Sequence, residues 1–325
     1  MFKTQSIEQF QLLRADFEEA VLKTQDISKV CSAYHWQHAA YYFLDPSRQL
    51  FVVNRDGYWF VSCVGPIQRF KYVLQPLEMR WAFGCPLVGE DPYQAALFVE
   101  EVLRQHSMWD MAIFTGLPEF GELEQQLSKT LGKFYTCELF EGSHCDQARI
   151  EQGLDMWLSR RSRSFRANLR RSARRAQEQD IRFVPPEPEE CGETLFQRIM
   201  RIETQSWKSQ SKQSIYQSPM YHNFYRELCV QMSLDQSLHV LFAKQHDRDI
   251  GYVYGGVLGP IYRGFQLTYD EEFAPLGIGN LLQWEMLQRL ADEYMELYDL
   301  GMEMDYKKKW ADQLQRFRTL LVFPF

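Results

Sequence analysis

The stretch IGYVYGGVLGPIYRGFQLTYDEEFAPLGIGN, residues 250–280, decides the fold. Ile250–Leu258 and Ile261–Tyr269 are rich in β-branched and aromatic residues, and Gly259-Pro260 between them supplies turn chemistry, so the pair reads as a hairpin. A third strand, His239–Lys244, precedes it across the polar turn Gln245–Asp249, which makes an antiparallel meander. Past Tyr269 the chain enters a glycine-containing loop, Glu271–Gly279. The pattern then predicts a helix over Asn280–Tyr294, a strand over Glu296–Leu300, a helix near Tyr306–Gln313 and a last strand over Thr319–Phe323. A sheet therefore surrounds one loop-to-helix junction, Gly277-Ile278-Gly279-Asn280.

Upstream of the meander, helices are expected over about Thr194–Trp207 and Met220–Met232, separated by the polar stretch Lys208–Ser218, a candidate mobile loop. Ile181–Val184 is a short strand that ends at Pro185-Pro186-Glu187-Pro188. Leu154–Leu158 is a short helix, and Ser164 caps an arginine-rich helix whose narrow docking stripe is Phe165, Leu169, Ser172, Ala173 and Ala176. Eight arginines and no acidic residue fall between Arg160 and Arg175, although the chain as a whole carries a net charge of −7. That overall charge argues against a general DNA binder, while the local patch invites an anion.

The first half mixes the same elements. A helix covers the first 25 or so residues, Gln49–Cys63 folds about an Asp56-Gly57 turn, and Asp91 caps a helix running to about Gln105. Strand Met111–Phe114, helix Leu123–Leu131 and strand Lys133–Phe140 come next. A chain of 325 residues exceeds one ordinary core, so two domains of about 150 residues each are expected, divided near residue 148. The N-terminal residues lack an apolar leader and no run is long enough for a membrane span, which predicts a cytoplasmic protein. The seven cysteines are scattered, without Cys-x-x-Cys spacing. His35 and His38 have no evident third ligand, and no metal is expected.

Residues 164–171 (SFRANLRR), 203–208 (ETQSWK), the run Gly251–Asp270, and Tyr298-Asp299-Leu300-Gly301 followed by 306–310 (YKKKW) resemble, in order and spacing, the GNAT-superfamily acetyltransferases associated with bacterial cellulose or exopolysaccharide synthesis. These are related to Fem-type peptidyltransferases. The resemblance covers about residues 150–320 by motif and the first half by architecture alone. It implies an α+β (mixed α/β) fold of tandem GNAT units, each a mostly antiparallel twisted sheet flanked by helices. Residues 1–148 would form a degenerate GNAT-like domain and 149–325 the acyltransferase domain. The implied activity is transfer of an acyl group, commonly acetyl from acetyl-CoA as co-substrate, to an amine of a small or sugar-linked acceptor. Two alternatives stay open: a Fem-like transferase using aminoacyl-tRNA, and a non-catalytic GNAT scaffold in a polysaccharide-synthesis complex.

Acyl transfer from a thioester to an amine needs a grip on phosphates, donors for an oxyanion, a path for the amine proton and an acid for the thiolate. Gly277, Gly279 and Asn280 lie where a strand-to-helix turn would present backbone N–H groups and a helix dipole to phosphate. The usual GNAT loop has Gln or Arg where Ala274 stands. By the resemblance, the oxyanion donors are backbone N–H groups near Leu267–Tyr269, where the fourth GNAT strand splays from the fifth. Glu203, Asp270 and Asp299 are carboxylates at matched positions, and Tyr269, Tyr298 or Tyr306 is the candidate acid. Gln266 is a polar residue on an apolar strand, placed either to hydrogen-bond substrate or only to face solvent. Trp207 and Lys208 follow Glu203 in the matched segment. Lys307 with Trp310 resembles the Lys-x-x-Phe/Trp pattern of Fem-like enzymes, and Arg166 on the arginine helix is a further candidate for an anionic substrate group.

Overall fold

The computed structural model describes residues 4–106, 108–206, 208 and 215–325. The chain forms two compact units: residues 1–144 with 315–325, and residues 145–314.

The first unit opens with four helices, α1 (Ile7–Leu12), α2 (Arg14–Lys23), α3 (Lys29–Ser32) and α4 (Tyr34–Phe43). Strands β1 (Gln49–Arg55), β2 (Tyr58–Ile67) and β3 (Phe70–Gln75) form an antiparallel meander, and the two-residue β4 (Leu87–Val88) pairs with β2. Asp56 and Gly57 both adopt positive φ, the requirement of the tightest hairpin turn, which is why this pair joins β1 to β2. Helix α5 (Pro92–Gln105) starts where the sequence placed it: the Asp91 side chain accepts from Gln94 N at 2.8 Å and Pro92 occupies the first turn. Strand β5 (Met111–Pro118) runs parallel to β3, and α6 (Glu122–Leu131) comes after it. Phe10, Phe17, Trp59, Phe60 and Phe114 are buried in this unit and pack ring against ring.

Strand β6 (Tyr135–Arg149) enters the second unit at Cys145. Then come α7 (Leu154–Ser159), α8 (Arg163–Glu178), β7 (Ile181–Val184), α9 (Gly192–Gln205) and α10 (Pro219–Leu234). The expected meander is β8 (Leu238–Gln245), β9 (Arg248–Leu258) and β10 (Ile261–Tyr269), followed by α11 (Ile278–Asp292) and β11 (Leu297–Met302). The sheet order is β6-β11-β10-β9-β8-β7, antiparallel throughout except for the parallel pair β10/β11. Alternation divides its faces. Val253, Leu241, Leu267 and Tyr269 pack with Ile278, Leu282 and Leu169 on the side of α11 and α8. Tyr252, Tyr254, Gln266 and Thr268, paired across β9 and β10, lie on the opposite side, where α9 packs.

Four expectations change. The arginine-rich helix is capped by Ser162, whose Oγ accepts from Phe165 N at 3.1 Å, and Ser164 lies inside the helix. Its docking stripe is narrower than expected, because Ala173 is exposed. No helix forms over 306–313: residues 305–310 are turns, with Trp310 N bonded to Lys307 O at 2.7 Å. Buried Trp310 stacks on Trp157, and this packing outweighs the helical propensity of the lysine run. Finally, β12 (Gln313–Pro324) pairs with β5, so from residue 315 the chain belongs to the first unit and does not close the second.

Candidate active site

The parallel pair β10/β11 stays in register for Ile261/Leu297, Tyr262/Tyr298 and Arg263/Asp299, and the ladder ends there. On its other edge β10 shifts register against β9 between Gly264 and Gln266, a β-bulge. Bulges bend a strand and re-aim the side chains beyond them, and they recur beside active sites. The two strands thus part in the middle of the sheet, and the segment Gly264–Tyr269 lines the opening.

On the α9 side of that segment lies a buried polar cluster. Glu203, near the end of α9, is fully buried (0% exposed). The Tyr252 hydroxyl donates to Glu203 Oε1. Lys208 Nζ lies 3.9 Å from the same oxygen and donates to Gln266 Oε1 at 2.8 Å, its side chain only 12% exposed. Burial lowers the Lys208 pKa, and the Glu203 charge opposes that shift. Buried tyrosines surround the carboxylate: burial drives the pKa values of Tyr252 and Tyr254 well above the ordinary phenol, with the Glu203 charge adding to both, so both stay protonated. The hydroxyls of Tyr254 and Thr268 are buried and have no hydrogen-bond partner among the described residues. Glu203, Lys208 and Gln266 were each expected from the sequence, and the fold brings them together. Tyr252 was missed; its alternation with Tyr254 on an otherwise apolar strand, each with a polar tip, was the available signal. Trp207 lies outside the described residues.

On the α11 side, Gly277 caps α11 with φ +75°. A Cβ there would stand 2.6 Å from Ser172 Oγ of α8, so the left-handed turn and the close approach of α8 both demand glycine. Gly279 is needed for packing, since a Cβ would lie 2.7 Å from the Tyr269 ring. Tyr269 and Leu267 flank α11 through their side chains. Beside the helix start lies a cavity of about 250 Å³ whose polar lining is Ser162, Ser164, Asn168, Ser172, Asn280 and Lys309. Neutral hydroxyl and amide groups, one lysine and a helix N-terminus suit a phosphate-bearing group.

The remaining candidates have partners within the second unit. Asp299 is buried and spends both oxygens: Oδ2 accepts from Arg263 at 2.6 Å and Oδ1 from Gly301 N at 2.9 Å. Arg263 also donates to Cys145 Sγ at 3.2 Å. Lys307 donates to Met302 O at 2.9 Å, and its pKa is pushed down to about 8, chiefly by burial and then by Arg263, with Asp299 and Asp146 opposing. Asp270 pairs with Arg248 and caps the 3-10 turn after β10. Arg166 reaches back to the Leu158 and Ser159 carbonyls at the end of α7, away from the cavity lining. Arg161 is buried over the Trp157 ring and bonded to Asp312, and Arg160 also pairs with Asp312. Arg163, Arg170, Arg171, Arg174 and Arg175 remain exposed. Among the described residues no group of His, Cys, Asp or Glu is placed to hold a metal, and no helix is long and apolar enough to cross a membrane.

Residues 163–308 match the family model described as "Acetyltransferase (GNAT) domain". The match spans most of the second unit, which is thus similar to a GNAT acetyltransferase domain. Solved structures share the fold along the whole chain. A conserved protein of unknown function from Bacteroides thetaiotaomicron VPI-5482 is 9% identical, covering 99% of this chain and 100% of that one, with a TM-score of 0.69. FemX is 12% identical over 94% and 95%, with a TM-score of 0.63. L-PGS from Bacillus licheniformis is 12% identical over 100% and 93%, with a TM-score of 0.60. No curated protein matches the sequence.

Proposed function

We propose that the second unit transfers an acyl group from an acyl-CoA thioester, acetyl-CoA in the simplest case, to the amine of a small or sugar-linked acceptor. The observation that carries this reading is the parting of β10 from β11 at Arg263/Asp299, with the Glu203–Lys208–Gln266 cluster on the neighbouring strand face. The donor phosphates would lie in the polar cavity at the start of α11, and the thioester carbonyl would reach the opening beside Gly264–Tyr269. Backbone N–H groups of that segment, Leu267 among them, would meet the oxyanion. Glu203 would take the amine proton as the C–N bond forms, and the departing thiolate would be protonated by Tyr269, the phenol flanking the α11 start. Asp299, with both oxygens committed, holds β10 against β11 in this reading rather than moving a proton.

Acetyl-CoA at ~100 times its dissociation constant should add about 2.7 kcal/mol of stability. A rise in thermal midpoint with acetyl-CoA, reduced in G277V and G279V, supports the donor assignment and opens an amine screen. No rise at millimolar donor removes it. The exposed arginines of α8 favour one second reading, an aminoacyl-tRNA donor, which predicts tRNA binding that weakens steeply with salt. If neither donor binds, a non-catalytic scaffold is what remains.

A further inference from the structure

Lys208 differs from the exposed Lys308, which pairs with Asp305 and Glu303 at the surface. It is held by Gln266, one residue past the β10 bulge, and it stands 3.9 Å from a fully buried carboxylate. A primary amine beside a buried base, hydrogen-bonded to the strand that lines the opening, has the attributes that acyl transfer requires of its acceptor. We propose that Lys208 is itself an acyl acceptor, so that the protein acylates this side chain when donor is present and acceptor is not. The inference rests on the acyl-CoA reading of the second unit.

The step balances with an acyl-CoA thioester as co-reactant. Neutral Lys208 Nζ keeps one N–H on Gln266 Oε1, which leaves its lone pair for the thioester carbon. The C–N bond forms, the C–S bond breaks with its electron pair on sulfur, and the second N–H proton passes to Glu203 and then to the thiolate. The products are an amide on Lys208 and free CoA. Desolvation helps by lowering the pKa of the lysine and raising the neutral fraction. The amide does not pass its acyl group on. It removes the cation opposite Glu203 and fills the acceptor position, so acylation silences the site until it is reversed.

The test incubates the full chain with acetyl-CoA and follows acetylation of each lysine by peptide mass spectrometry, with thermal midpoints measured in parallel. Lys208 should acquire the adduct well ahead of Lys308, and urea unfolding should abolish that preference. K208R should lack this adduct, and E203Q should slow it by about a hundredfold, the contribution of a positioned base. Should E203Q fail to fold, the contrast between Lys208 and Lys308 in the unaltered protein still decides. A midpoint raised by acetyl-CoA with Lys208 unmodified, or modified no faster than Lys308, overturns the proposal and leaves the donor reading standing. No midpoint shift and no adduct removes both.

Discussion

Tyr252 and Tyr254 lie two residues apart on β9, on the same sheet face, both fully buried, and they differ in what their hydroxyls do. Tyr252 donates to the Glu203 carboxylate, whereas the Tyr254 hydroxyl has no partner among the described residues. Replacing either by Phe removes one oxygen and leaves the ring in place. A hydrogen bond to a charged group contributes about 1.5–3 kcal/mol, and removing its donor leaves a buried charge less satisfied, so Y252F should cost about 2–3 kcal/mol. At ~2–4 °C per kcal/mol for a unit of this size, its midpoint in scanning calorimetry should fall by about 4–12 °C. Y254F removes a hydroxyl that was already unsatisfied and should shift stability by no more than ~0.5 kcal/mol, in either direction. In a double-mutant cycle, Y252F should cost less in an E203Q background, since the amide oxygen there still accepts from Tyr252 but without the charge that strengthens the bond. Equal losses from Y252F and Y254F, or strictly additive effects of Y252F and E203Q, would refute the assignment of Tyr252 as the group that holds Glu203.

Three further outcomes are expected. Gly57 and Gly277 both have positive φ, but a Cβ at Gly57 meets nothing within 4 Å while one at Gly277 meets Ser172; G57A should cost about 1–2 kcal/mol and G277A clearly more, measured by urea unfolding. R263M leaves Asp299 as an uncompensated buried charge and should lower stability by about 3–5 kcal/mol, while the double replacement of Arg263 and Asp299 by apolar residues should recover part of that loss. The His38 pKa is lowered to about 4, by burial first and the neighbouring His35 second, so the unfolded chain binds the proton before the folded one. Stability should therefore fall as pH drops from about 6.5 towards 4, and H38F should flatten that part of the pH profile.

Much of the chain was legible where local chemistry and the final environment agree. The meander between residues 238 and 269, the short strand Ile181–Val184 and the Asp91 cap all derive from side-chain alternation, turn residues and one capping carboxylate. The segment 306–313 was misread because its lysines favour a helix locally. What decides it is buried Trp310, together with the bonds from Arg149, Arg160 and Arg161 to Asp312, contacts some 150 residues distant in the chain. The arginine helix shows the same limit: its charge was plain, but not that Arg160, Arg161 and Arg166 serve the fold while five others face solvent.

By itself the sequence determined most of the element types and the glycines at the start of α11, since propensity, capping and turn geometry depend on near neighbours. Only the tertiary structure decided how each carboxylate is held. Glu203 and Asp299 look alike in the chain, yet Arg263 and Gly301 N take both oxygens of Asp299, while Tyr252 and Lys208 converge on Glu203 beside the parted strands. That difference arises from partners brought together across the sheet, and no local pattern encodes it.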